Sequence, residues 1–83
     1  MSDRSKQGRA IPAEVVRRCL INKPETGMGY QTGNVVLSNG QIIRDVAFVD
    51  GEIAEVRGYS EIPFDAVDVV EVELTHVRWQ FLR

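Results

Sequence analysis

NVVLSNGQIIRDVAFVDGEIAEVR, Asn34 to Arg57, is the stretch whose reading decides the fold. Its apolar runs are separated by Asn39-Gly40 and Asp50-Gly51. Both dipeptides favour two-residue hairpin turns, where the two central residues take φ > 0. A meander of three antiparallel strands follows. With two-residue turns, Leu37 opposes Ile42, Val36 opposes Ile43 and Val35 opposes Arg44 across the first turn. Across the second, Val49 opposes Glu52, Phe48 opposes Ile53 and Val46 opposes Glu55. Opposed residues share a face. One face should therefore carry Val35, Leu37, Ile42, Val46, Phe48 and Ile53, and the other Val36, Ile43, Ala47, Val49, Ala54 and Val56. Both faces are apolar, the second in smaller residues. A sheet with one face in water shows clean alternation instead. The pattern predicts cover on both sides, either by curling into a barrel or by a partner chain. Arg44, Asp45 and Glu55 interrupt it and mark where cover stops.

Working outward, Pro12 to Ile21 reads as a short helix, with an extended segment as the alternative because its valines disfavour a helix. Pro12 suits a first turn, where its missing N–H costs nothing. Val15, Val16, Cys19 and Leu20 form one apolar stripe, and Lys23-Pro24 stops the pattern. Residues 1–10 are polar and read as a flexible segment before a single domain over 11–83. Lys23 to Gly33, KPETGMGYQTG, is a glycine-rich connector. It is not a phosphate cradle, because it leads into a strand rather than opening a helix and lacks Gly-Lys-Ser/Thr. Gly58 to Phe64 is a loop, with Ile62 and Phe64 closing one end of the core. In Val69–Leu74 the apolar residues are Val70, Val72 and Leu74, but after Thr75-His76 they are Val77, Trp79 and Phe81. A two-residue period changes parity only through a bulge, bend or turn. Residues 69–82 are thus one bent strand or two. The expected architecture is mainly β: a small antiparallel five-stranded SH3-like or partly open barrel with one short N-terminal helix at about 12–21.

A chain of 83 residues is one domain of marginal stability. Cys19 and His76 are each the only residue of their type, so an internal disulfide and a structural zinc site are both discounted. No cofactor is expected. No apolar run is long enough to span a bilayer, the first 16 residues lack a signal peptide's apolar core, and the expected location is cytoplasmic. Charge is uneven. Residues 1–25 hold six basic and three acidic residues, a net +3, whereas residues 26–83 hold four arginines and nine acids, a net −5. Arg4, Lys6, Arg9, Arg17 and Arg18 form a candidate basic arm. It either packs on the acidic sheet or meets an acidic partner. Nucleic acid is the weaker partner class, because the acids outnumber the bases overall.

Few residues suggest chemistry. His76 as a general base would need a nucleophile and an orienting carboxylate, and Ser38, Ser60, Cys19 and Thr75 qualify only by type. Asp65, Asp68, Glu71 and Glu73 lack the spacing and glycine of a calcium loop and read as a solvated face. Trp79, Phe81 and Tyr30 could form a base-stacking platform, but Arg78 and Arg83 fall on the opposite parity. Packing in a core or interface is the better reading of Trp79.

The segment VVLSNGQIIRDVAFVDGEIAEV, about a quarter of the chain, resembles the opening strands of amidohydrolase-family enzymes. There a small β-domain precedes a metal-binding barrel. The resemblance implies a small β-barrel or sandwich. The family's His-x-His pair is missing from this sequence, so no catalytic or metal residue carries over.

The functional expectation is a small non-enzymatic protein-interaction module, meeting a protein partner or itself through Val36, Ala47, Val49, Val56 and Trp79. Its alternatives are a nucleic-acid-binding barrel and a small ligand-binding or enzymatic barrel that uses His76.

Overall fold

The computed structural model describes residues 9–81. Four antiparallel strands form one sheet: β1 Gln31–Leu37, β2 Ile42–Val49, β3 Glu52–Val56 and β4 Val69–Leu74, in the spatial order β3-β2-β1-β4. One helix, α1 Ala13–Cys19, packs on one face, and a single 3-10 turn, Ala66–Asp68, leads into β4. The mainly β architecture with one short helix is as expected, but four strands rather than five are found among the described residues. β3 and β4 are the outermost strands, β3 carrying a short bridge from Ala10 to Glu52, and among the described residues the sheet does not close into a barrel. The stretch expected to extend or close it turns away at His76, which takes φ 60.

α1 forms where the apolar stripe predicted it, but shorter. The Pro12 carbonyl accepts from Val15 and Val16, and the helix ends at Cys19, three residues before Asn22 enters the left-handed region at φ 66. Val15, Cys19 and Leu20 are buried against Val35, Val46, Phe48, Ile53, Val69 and Val72. Each large side chain of this set contributes about 1.5–3 kcal/mol by leaving water. Ile62 and Phe64 pack at the border of the same core.

The second turn has the predicted form. Asp50 and Gly51 take φ 53 and 77, and Val49 pairs with Glu52 and Phe48 with Ile53. The first turn is one residue longer. Ser38-Asn39-Gly40 form a three-residue loop, closed by Leu37 N–H to Gln41 O at 2.8 Å, with Gly40 at φ 91. That pairs Val36 with Ile42 and Val35 with Ile43. Ile43 therefore turns toward the helix, and Ile42 is left 55% exposed.

Three bulges complete the register. Arg44 and Asp45 (φ 59) together oppose Asn34, whose side-chain oxygen accepts from Asp45 N–H at 3.2 Å. Ala54 is the extra residue of β3, so Val46 pairs with Val56 rather than with Glu55. Val70 is the extra residue of β4. Each bulge reverses the parity beyond it. Val56 consequently lies in the helix-side core, 3% exposed, and not on the second face where the simple register placed it. Gly33 has a packing reason: a Cβ there would run into the Glu73 carbonyl and the Leu74 backbone.

Candidate functional site

The middle of the second face is covered by residues 77–79 of the chain itself. At the end of β4, Thr75 and His76 both donate their N–H to Thr32 O, at 3.0 and 3.2 Å. The left-handed turn at His76 then lifts the chain over the sheet. Thr32, Ala47 and Glu55 form one cross-strand row on this face. Val77 O accepts from Thr32 Oγ1 at 2.7 Å at one end of the row, and Trp79 Nε1 donates to Glu55 Oε1 at 2.9 Å at the other. Residues 77–79 thus form a strap above Ala47, which is fully buried. Beyond it, Phe81 meets Tyr30 edge-on with ring centroids 5.2 Å apart, and Tyr30 OH accepts from Trp79 N–H at 3.4 Å.

His76 anchors this strap. Its Nδ1 lies 2.9 Å from Thr26 Oγ1, which in turn accepts from Thr32 N–H at 2.9 Å. Among the described residues, no hydrogen bond joins His76 to Ser38, Ser60 or Cys19. Cys19 is buried in the helix-side core. No group of three or more His, Cys, Asp or Glu side chains is placed to hold a metal among the described residues.

The strap's outer border with β3 forms a cleft of about 390 Å³, lined by Glu55, Val56, Arg57, Gly58, Tyr59, Ser60, Trp79 and Gln80. Local folding explains its shape. Gly58 takes φ 87, so the chain reverses after β3 and Tyr59 N–H reaches Val56 O at 3.1 Å. The reversal leaves Tyr59 52% exposed. The Arg57 guanidinium stacks over the Trp79 ring, 4.8 Å from its centroid, and Arg57 Nη2 donates to Arg78 O at 3.4 Å. An apolar wall, two aromatic rings and one planar cation suit recognition of a side chain or an extended peptide.

The structure scatters the sequence-predicted surface. Ala47 lies under the strap and Val56 is in the core, though Val56 and Trp79 both border the cleft. Val36 is half-buried and Val49 is 36% exposed. Sequence reasoning missed Arg57 and Tyr59. The available signal was the Arg57-Gly58-Tyr59 reversal beside a strand end.

The basic arm is partly used in the fold. Arg9 Nη1 donates to Ile53 O and Ala54 O, at 3.1 and 3.0 Å, on the outer side of β3. Arg18 Nη2 donates to Val70 O at 3.0 Å on the outer side of β4. Arg17 is exposed. Arg4 and Lys6 lie outside the described residues.

Among the described residues no helix is long and apolar enough to cross a membrane. No family model, no curated protein and no solved structure matches the chain.

Proposed function

We propose that this protein is a non-enzymatic protein-interaction module whose contact surface is the Arg57–Tyr59–Trp79 cleft. One observation carries the reading: the strap buries the middle of the second face yet leaves an aromatic cleft at its own border. Trp, Tyr and Arg are the residue types that dominate interface energetics, most of all around a well-packed pocket. A volume of about 390 Å³ accommodates one or two side chains of an extended partner segment. The partner class that suits it is a peptide segment presenting an apolar or proline side chain, as aromatic-lined grooves accept.

The reading is tested with an immobilised wild-type chain and a Tyr59→Ala chain exposed to the same cell extract, followed by titration with the purified retained protein. Tyr59 is exposed, so its removal leaves the fold intact. A partner should be retained by the wild type, should change Trp79 fluorescence on binding, and should bind Tyr59→Ala about 30-fold more weakly, the loss of a hot-spot residue worth ~2 kcal/mol. Equal binding by both chains, or binding that leaves the Trp79 signal unchanged, would refute the cleft as the contact surface.

A further inference from the structure

The chain carries a complement to its own cleft. Met28 is 99% exposed and stands at the tip of the turn that precedes β1. A single exposed apolar side chain is ordinary on a protein surface. This one is held out on a fixed support. Thr26 N–H and Gly27 N–H both donate to Tyr30 O, at 2.9 and 3.3 Å, and Tyr30 N–H donates back to Gly27 O at 3.4 Å. Gly29 takes φ 84, and its N–H donates to Glu25 Oε1 at 3.3 Å. The base of the turn is anchored as well. Thr26 Oγ1 accepts from Thr32 N–H and lies 2.9 Å from His76 Nδ1, and the Tyr30 ring packs edge-on against Phe81. A tip ordered before contact loses little freedom on binding.

The tip and the cleft match in chemistry. The tip presents one unbranched apolar side chain, with the exposed Glu25 carboxylate held at the next peptide. The cleft presents the converse. Its Trp79 and Tyr59 rings suit a thioether, which adapts to irregular gaps and makes favourable contacts with ring edges. Its volume of about 390 Å³ takes such a side chain. The carboxylate in the cleft, Glu55, is engaged by Trp79 Nε1. Arg57 is exposed, and among the described residues its guanidinium donates to the Arg78 carbonyl and to no carboxylate. An apolar group flanked by an anion thus faces an apolar slot flanked by a cation.

The two do not meet within one molecule. None of residues 25–30 lines the cleft. Tyr30 OH accepts from the Trp79 backbone N–H, while the Trp79 indole reaches away to Glu55 on β3. Trp79 therefore stands between the tip and the cleft of its own chain.

We infer that the Gly27-Met28-Gly29 tip of one copy inserts Met28 into the Arg57–Tyr59–Trp79 cleft of a second copy, with Glu25 set against Arg57. The inference rests on the cleft being the contact surface and names what fills it. The contact is heterologous, one tip to one cleft.

Sedimentation velocity on the full chain over a concentration series tests it. The wild type should associate, and Met28→Ser and Tyr59→Ala should each weaken that association tenfold or more. Both side chains are exposed, so neither change enters the core. Glu25→Gln keeps an acceptor for Gly29 N–H but removes the charge, and it should weaken association about two- to fivefold, as for an exposed ion pair. An equimolar mixture of Met28→Ser and Tyr59→Ala should regain association and stop at one chain of each, because the intact tip of the second enters the intact cleft of the first. Fluorescence of Trp79, the only tryptophan, should change with concentration in the wild type and stay constant in Met28→Ser alone. A mixture as weak as its components, or an association that Met28→Ser leaves unchanged, would overturn the inference. So would a wild type that stays monomeric at millimolar concentration; the cleft reading then still stands if another protein is retained through Tyr59, and falls with the inference if none is. Association that needs Met28 but ignores Tyr59→Ala would overturn both.

Discussion

Trp79→Ala is the most informative single substitution, because it removes the strap's attachment to β3 without entering the helix-side core. Besides a tilted ring contact with Phe81 at 6.5 Å, two stronger interactions are lost. The indole N–H donates to the Glu55 carboxylate at 2.9 Å, and a hydrogen bond to a charged group contributes about 1.5–3 kcal/mol. Arg57 stacks over the ring at 4.8 Å, and a cation–π contact at a solvent-facing site adds about 0.5–1 kcal/mol. The sum is about 2–4 kcal/mol. A domain of this length has a total stability of about 4–12 kcal/mol, so the loss is a large fraction of it. At about 4–8 °C per kcal/mol the melting temperature should fall by at least 8 °C or so. Thermal and urea unfolding by far-ultraviolet circular dichroism would measure this. Trp79→Phe keeps a ring but loses the N–H, so it should retain part of the stability. Combined with Glu55→Gln in a double-mutant cycle, it isolates the indole–carboxylate contact, with an expected coupling of about 1–2 kcal/mol. A loss below about 0.5 kcal/mol for Trp79→Ala would refute a docked strap.

Three further outcomes follow from the register and the turns. Val56→Ala should cost about 2 kcal/mol because Val56 is in the core, and Val36→Ala clearly less, as compared by urea denaturation; equal costs would contradict the bulge at Ala54. Gly33→Ala should destabilise by about 1–3 kcal/mol or more, since the added methyl meets the β4 backbone, which cannot swing aside as a side chain can. Gly40→Ala should cost roughly 1 kcal/mol through its positive φ and leave the core untouched, which hydrogen exchange of the β1 and β2 amides would check.

Much of the architecture was legible in the sequence, and the misses share a physical cause. The Asp50-Gly51 turn, the apolar stripe of α1 and the core positions Val35, Leu37, Val46, Phe48 and Ile53 follow from turn chemistry and periodicity. Asn39-Gly40 suits two hairpin geometries, and here Gly40 serves the three-residue loop, which moved Ile42 and Ile43 to opposite faces. A bulge costs one residue and has little sequence signature, so Asp45, Ala54 and Val70 could not be identified in advance, and Val56 was misplaced as a result. The parity change at Thr75-His76 was visible. Its outcome, a left-handed turn that lays the chain over Ala47, depends on tertiary bonds to Thr26 and Thr32 that no local pattern encodes. The cleft was harder still, because Arg57 and Trp79 are distant in sequence and meet only once the strap has crossed the sheet.

The central claim is that residues 77–79 lie over the middle of the second face. Thiol labelling tests it most directly, in a Cys19→Ala background that removes the only native cysteine. Ala47→Cys and Val49→Cys place thiols on the same face, one beneath the strap and one 36% exposed beside it. If the strap is docked by about 2–4 kcal/mol, the thiol at position 47 should react about 30- to 700-fold more slowly than that at 49. Adding Trp79→Ala should remove most of that difference. Equal labelling rates at the two positions in the intact chain would contradict the account.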